Sequence, residues 1–432
     1  MACQTPSKAS RFCTKVASLL AMVPKDSGRA NFAAMGNRFK CTGWAMGLLV
    51  MAFGGTGCQL AESGTQEGVE AEAAAKAEVE VVAPDWAHGF RWLQHPGGPD
   101  REVLEWVAPD GTTGRVFRDS AAWKQWEGGD GDVVLGPMAR GIATLSTTHV
   151  ALLEPWGGLA HWAGGGSTRY LRMPGALAGL ASGKAVDYSQ EQGLDKEKLL
   201  AHPPACLTAF PFGDPLAGTG IEGVVPVVEL TEYLEPHPLG RAEWMRALAW
   251  LAGPAALAQA DSAFAACARR YGDLAASVAQ RRKGAVRPEV FTGSVQEGVW
   301  HAPGGGSLIA RFLEDAGAKY AFADHPGAEN VRISLEQMRV VQARADAWGW
   351  VVHAPEGATW ENLLGQGSTL RDFVPPSGRV FVANSAECDY FGAVIAQPDA
   401  LLANLVRLLH PDLALPAGTP DAACFEWIRP VP

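Results

Sequence analysis

The feature that most constrains this chain is a helix at its middle. From Pro254 to about Arg282, the apolar residues Leu257, Phe264, Cys267, Tyr271, Leu274 and Val278 recur at intervals of 7, 3, 4, 3 and 4. That spacing lays them in one stripe along a helix. Gly253 and Pro254 mark its start, because glycine ends a preceding helix well and proline suits a first helical position. Roughly 29 residues at 1.5 Å each span about 43 Å, longer than one small domain is wide. Such an element predicts a strut between two lobes. A shorter helix, Arg241 to Ala252, precedes it, entered from "EYLEPHPLG" at 232–240, where Pro238 and Gly240 are expected to end a strand and set the angle of the helix.

Both flanks of the strut alternate strand and helix. "HGFRWLQH" and "REVLEWVA" alternate apolar and polar residues as half-buried strands do, and an Asp-Gly turn leads into "RVFRD". "GIATLSTTHVALLEPWG" then reads as strand, polar loop and helix, with "ACLTAF" and "VVPVVEL" as buried strands. After the strut come the strand "EVFTG", the helix "SLIARFLEDAGA", a helix opened by a Ser334–Gln337 capping box, the strands "WGWVVHA" and "GRVFVAN", and the amphipathic helix "DALLANLVRLLHPDL". The predicted fold class is α/β: an N-terminal lobe over 85–253, a connecting helix over 254–283 and a C-terminal lobe over 284–432, built on parallel sheets.

The N-terminal region reads as an export signal. Arg38 and Lys40 form a short basic stretch, Trp44 to Phe53 is an apolar run of about ten residues, too short to span a bilayer, and small residues lead to Cys58. The expectation is a signal region over 1–58, with Met35 as the true start and Cys58 as a lipidated residue. Gly55 stands three before the cysteine, where leucine is usual, so an ordinary cleaved signal is the alternative. Residues 59–84 are Ala/Glu-rich, cannot bury enough to fold alone, and read as a tether. Cys206, Cys267, Cys388 and Cys424 show neither CxxC nor zinc spacing. They are expected to be buried free thiols, with a Cys388–Cys424 bridge as the alternative.

A net charge of −10 with no Lys/Arg block argues against a nucleic-acid partner. Neither GxSxG nor HExxH occurs, no pair of carboxylates stands out for hydrolysis, and the histidines are scattered singly, so catalytic residues are not expected. Two loops before helices are candidate binding elements. "STTHV" offers Thr147, Thr148 and His149 at a helix start, where hydroxyls and N–H groups can hold a polar ligand edge, although plain capping by Ser146–Thr148 is the bland reading. "WHAPGGGS" offers Gly304, Gly305 and Ser307 with Trp300 placed to stack. It lacks the Gly-Lys-Ser/Thr of a phosphate loop, and a tight packing turn is its bland reading.

Four segments carry a family resemblance over roughly residues 87–415: "STTHVALLE" at 146–154, "EYLEPHPLGRAEW" at 232–244, "WHAPGGGSLIARFLEDAGAKYAFAD" at 300–324 and "LLANLVRLLHPDL" at 401–413. The chain resembles the solute-binding proteins of bacterial ABC importers in the cobalamin and ferric-siderophore class (class III), in a branch common in Bacteroidetes. The resemblance implies two α/β lobes on a helical backbone with the ligand in the cleft between them. The ligand would be a ferric siderophore or cobalamin-type chelate, with no covalent cofactor. The partners would be a membrane permease and its ATPase, the protein itself a lipid-anchored monomer of the periplasm or cell envelope. It also implies one permease-docking carboxylate per lobe, Glu197 and Glu336, both in first helical turns where the dipole also favours an acid. "HPPACL" at 202–207 departs from the family pattern and weakens transfer of ligand identity. Tyr233 and Tyr390 are further ligand candidates. The alternatives are a bare zinc or manganese ion, haem, a non-transporting lipoprotein on the same fold, and a secreted α/β hydrolase.

Overall fold

The computed structural model describes residues 79–108, 111–191, 193–211, 213–364, 368–420 and 424–428. Cys58, the signal region and most of the tether lie outside these residues. The described chain opens with a sheet of β1 (Glu80–Val82), β2 (Phe90–Gln94), β3 (Val103–Val107), β4 (Thr113–Phe117) and β5 (Val133–Val134), in that order. Its first three pairings are antiparallel and its last is parallel. Phe90 and Trp92 face the core, while Arg91, Glu105 and Arg115 pair across the strands as a ladder of alternating charge. The tether was expected to reach Pro84, yet β1 lies inside that span. It becomes a strand by pairing with β2, a partner that local composition does not reveal.

The first lobe is a parallel sheet of β6 (Ile142–Thr144), β7 (Trp162–Gly165), β8 (Val186–Asp187), β9 (Cys206–Ala209) and β10 (Val227–Glu229), ordered β10-β9-β6-β7-β8. From Glu289 the chain lays down β11 (Glu289–Thr292), β12 (Ser294–Gln296), β13 (Val299–Pro303), β14 (Lys319–Tyr320), β15 (Asn330–Ile333), β16 (Ala347–Val352), β17 (Val380–Asn384) and β18 (Phe425–Ile428). The second lobe's main sheet is β14-β11-β16-β17-β18, parallel except for β18 at its edge. A side sheet, β12-β13-β15, is antiparallel. Every residue of β9 and β17 is buried, as in parallel strands covered on both faces.

The connecting helix runs Pro254–Arg281, 28 residues, or about 42 Å. Its buried face contains every residue of the stripe read from the sequence, joined by Ala256 and Ala260. The helix before it runs Pro238–Ala252, three residues longer at its start than expected. Pro238 begins that helix instead of only ending a strand, because His237 caps it: Leu239 N–H donates to His237 Nδ1 at 3.1 Å. The connecting helix is bonded to both lobes. Near its start Asp261 accepts from Arg101 and from Arg246, each at 2.7 Å. Further along, the Tyr271 hydroxyl donates to Asp315 at 2.6 Å, and Cys267 and Arg270 both donate to Asp399. Among the described residues no single helix is long and apolar enough to cross a membrane.

Cys388 and Cys424 form a disulfide, which corrects the expectation of free thiols there. Pairing of β17 with β18 brings their Cα atoms to 5.7 Å, within reach of a bridge, across a separation of 36 residues that carries no such information. Cys206 and Cys267 are free and buried.

Because Leu274 is 2% exposed on the connecting helix, Leu274→Ala should lower the unfolding free energy by about 2–5 kcal/mol. The neighbouring exposed Asp273→Ala should change it by less than about 0.5 kcal/mol. Urea denaturation of the two variants checks the pair.

Candidate functional site

Several candidate residues meet at the stretch Glu232–Trp244. Glu232, fully buried, accepts from Thr148 Oγ1 at 2.8 Å and faces His149 Nε2 at 3.4 Å. His149 is 0% exposed, and its Nδ1 lies 3.0 Å from Thr208 Oγ1. Burial pushes the Glu232 carboxyl up, but the His149 imidazole and the hydrogen bonds from Thr148 and its own backbone outweigh it and hold the carboxyl below its ordinary range. Arg241 lies beside this acid. Desolvation draws its guanidinium down to about 10, against the charges of Glu232, Tyr390 and Glu235, so it stays cationic at neutral pH. Burial pushes the Tyr390 phenol up to about 12, with Arg241 opposing. Tyr390 opens the helix Tyr390–Ala396 of the second lobe, so these charges cross the lobe boundary. Tyr233 stands beside Phe210, ring centroids 5.0 Å apart, and burial followed by Glu232 and Glu229 raises its phenol to about 12.

Thr148, His149 and Tyr390 lie around the same stretch, with His149 buried inside it. His149 presents no surface to a ligand: the ring is wholly buried, its Nδ1 beside Thr208 and its Nε2 facing Glu232 without a hydrogen bond. Thr147 lies elsewhere, in a hollow with Ser146, Ser167 and Thr168 at the carboxyl ends of β6 and β7.

The second-lobe candidates are corrected. Trp300 is 0% exposed; its Nε1 donates to the Thr292 carbonyl at 3.0 Å, and its ring packs among Phe291, Trp348 and Phe373. It points inward because β13 alternates and Trp300 falls on the covered face. Gly304 and Gly305 serve a packing turn: a Cβ there would sit 2.4 Å from the Gly327 carbonyl oxygen and 2.1 Å from that of Ala323. Ser307 caps the following helix by accepting from Ala310 N–H at 3.3 Å. The glycines give the backbone close approach, but to another loop of this chain.

Glu197 and Glu336 are both exposed. Each sits in the first turn of its helix, Lys196–Ala201 and Leu335–Arg344, the second opened by the expected Ser334–Gln337 capping box. Among the described residues no group of three or more His, Cys, Asp or Glu side chains could hold a metal ion.

Sequence reading missed two further carboxylates in the same stretch. Glu243 accepts backbone N–H bonds from Asp85, Trp86 and Ala87 at 2.8, 2.7 and 2.9 Å, and Glu235 accepts from His88 and Gly89 at 2.8 and 2.9 Å. The available signal was three glutamates within a stretch otherwise rich in residues bound for burial.

His237 lies over this clamp, stacked on Trp86 at 4.4 Å. Burial, then the charge of Arg311, lowers its imidazole from near 6.5 to about 4, against Asp315. An unfolded chain takes up this proton near pH 6.5, whereas the folded chain resists it until about pH 4. Stability from this group therefore falls as pH drops through that window. His237→Asn keeps a cap and removes the titration, so denaturation midpoints between pH 7 and 4.5 should fall less steeply than in the parent. Trp300→Ala should cost about 3–5 kcal/mol of stability and leave ligand affinity of the folded fraction unchanged, read by denaturation alongside a binding titration.

No family model matches the chain. A curated relative, an uncharacterized lipoprotein of Methanocaldococcus jannaschii, is 22% identical over 311 residues, 67% of this chain and 70% of that protein. Among solved structures, a periplasmic binding protein from Veillonella parvula aligns with a TM-score of 0.51 at 15% identity, covering 72% of this chain and 98% of the other. A periplasmic haem binding protein from Pseudomonas aeruginosa gives 0.49 at 19% identity over 67% of this chain and 98% of the other. A siderophore binding protein from Vibrio cholerae, solved with Fe3+–Desferal, gives 0.45 at 18% over 62% and 98%. Two α/β sheets bridged by one long helix, with the Veillonella alignment, give this chain the fold of a periplasmic binding protein.

Proposed function

We propose that this protein is the substrate-binding component of an ABC importer, held at the cell envelope by lipid on Cys58, and that it passes a metal chelate to a membrane permease and its ATPase. The chelate is of ferric-siderophore, cobalamin or haem type. The observation that carries this reading is the matched pair of exposed acids, Glu197 on one lobe and Glu336 on the other, on lobes spaced by a connecting helix bonded to both. A permease presenting one cation to each lobe would find both acids at a fixed separation. Support comes also from the ligands of proteins with a similar fold, haem and Fe3+–Desferal, and from the lipoprotein relative. The protein works as a monomer in this reading, by binding and not by chemistry. A bare ion is disfavoured because its three or four converging ligands are absent among the described residues.

Charge reversal at both acids, Glu197→Arg with Glu336→Arg, should cut chelate uptake by the host cell at least about tenfold, since like charges across an interface cost several kcal/mol. Chelate affinity of the purified protein should stay within twofold. Uptake at the parent rate in the double variant would overturn the docking role.

A further inference from the structure

We propose that the ligand is a negatively charged chelate with a flat aromatic face, and that Arg169, Tyr170 and Arg172 hold it; this rests on the chelate-binding reading above. These residues lie just beyond the carboxyl end of β7, in the turn Thr168–Tyr170 and the chain that follows it. Open parallel α/β sheets bind ligands outside the carboxyl ends of their strands, so the position is the one where a ligand is expected. Arg172 also acts across the lobe boundary, where its charge works to lower the Asp389 carboxyl against burial. The patch therefore fronts the junction between the lobes.

Charge is the second observation. The chain carries −10 overall, and many of its arginines are spent on carboxylates, such as Arg91 on Glu105, Arg115 on Asp132, Arg246 on Asp261 and Arg270 on Asp399. Among the described residues neither Arg169 nor Arg172 has a carboxylate within ion-pair distance. Arg172 is nonetheless held in place, because one of its terminal nitrogens donates to the carbonyls of Leu171 and Arg169 at 3.0 and 3.3 Å. Its Nε is buried with no acceptor. An anionic oxygen arriving at the outer guanidinium nitrogens meets donors in the planar geometry that arginine favours.

The third observation is the flat surface. The Arg169 guanidinium lies 4.7 Å over the Tyr170 ring, and Tyr170 is 48% exposed. The exposed Tyr170 ring and its stacked cation suit a planar π-system. Burial pushes both Asp389 and Glu154 up, Glu154 further through Asp389.

The test uses the full chain in detergent and four probes of graded charge, read by tryptophan fluorescence: ferric tris-catecholate and haemin as anions, ferrioxamine B as a cation, and cyanocobalamin as a neutral corrinoid. One of the two anions should bind at least tenfold more tightly than ferrioxamine B and cyanocobalamin. The double variant Arg169→Gln with Arg172→Gln should weaken that anion at least tenfold and flatten its salt dependence. Tightest binding of ferrioxamine B or cyanocobalamin would leave the chelate reading standing and overturn this inference, as would a double variant within twofold of the parent. Binding of none of the four would overturn both.

Discussion

Three buried carboxylates from one stretch, Glu232, Glu235 and Glu243, register the parts of this molecule to one another. A carboxylate taken out of water is tolerated only where donors surround it. Here the donors come from distant places in the sequence. Thr148 and His149 belong to the helix Thr147–Ala151, His88 and Gly89 to the approach to β2, and Asp85 to Ala87 to the segment before it. The N-terminal sheet, the first parallel sheet and the helix Pro238–Ala252 are thereby fixed against each other through polar groups. The helix then hands the chain to the connecting helix at Gly253, whose φ of 118° is open to glycine and closed to most other residues. The second lobe inherits its position from that turn.

Much of this architecture is legible in the sequence because it depends on local periodicity. The stripe from Leu257 to Val278, the alternation in β2 and β3, and the Ser334–Gln337 cap each need only neighbours within a turn or a strand. The errors arose where a residue answers to a distant partner. Val81 becomes part of a strand through Leu93, and Cys388 finds Cys424 through the β17–β18 pairing. Pro238 misled for a different reason. Proline both ends strands and begins helices, and only the unusual His237 cap decides which role applies.

The candidate site was less legible, since residue type tells chemistry but not depth. Thr148, His149 and Tyr390 do gather in one region, yet His149 is enclosed by its own partners. Trp300 and the glycines of "APGGGS" looked like ligand contacts because stacking rings and close backbone approach serve ligands and cores equally. Arg169 and Arg172 went unremarked because a single arginine in a loop is commonplace. What sets them apart is their place just beyond β7 beside an exposed tyrosine ring, a fact of three-dimensional neighbourhood.

The clamp at Asp85–Ala87 also has a mechanical side. The three N–H bonds to Glu243 lie on consecutive residues and converge on a single carboxylate, so a pull on the chain from its N-terminal side, before Glu80, must first open β1 and then this group.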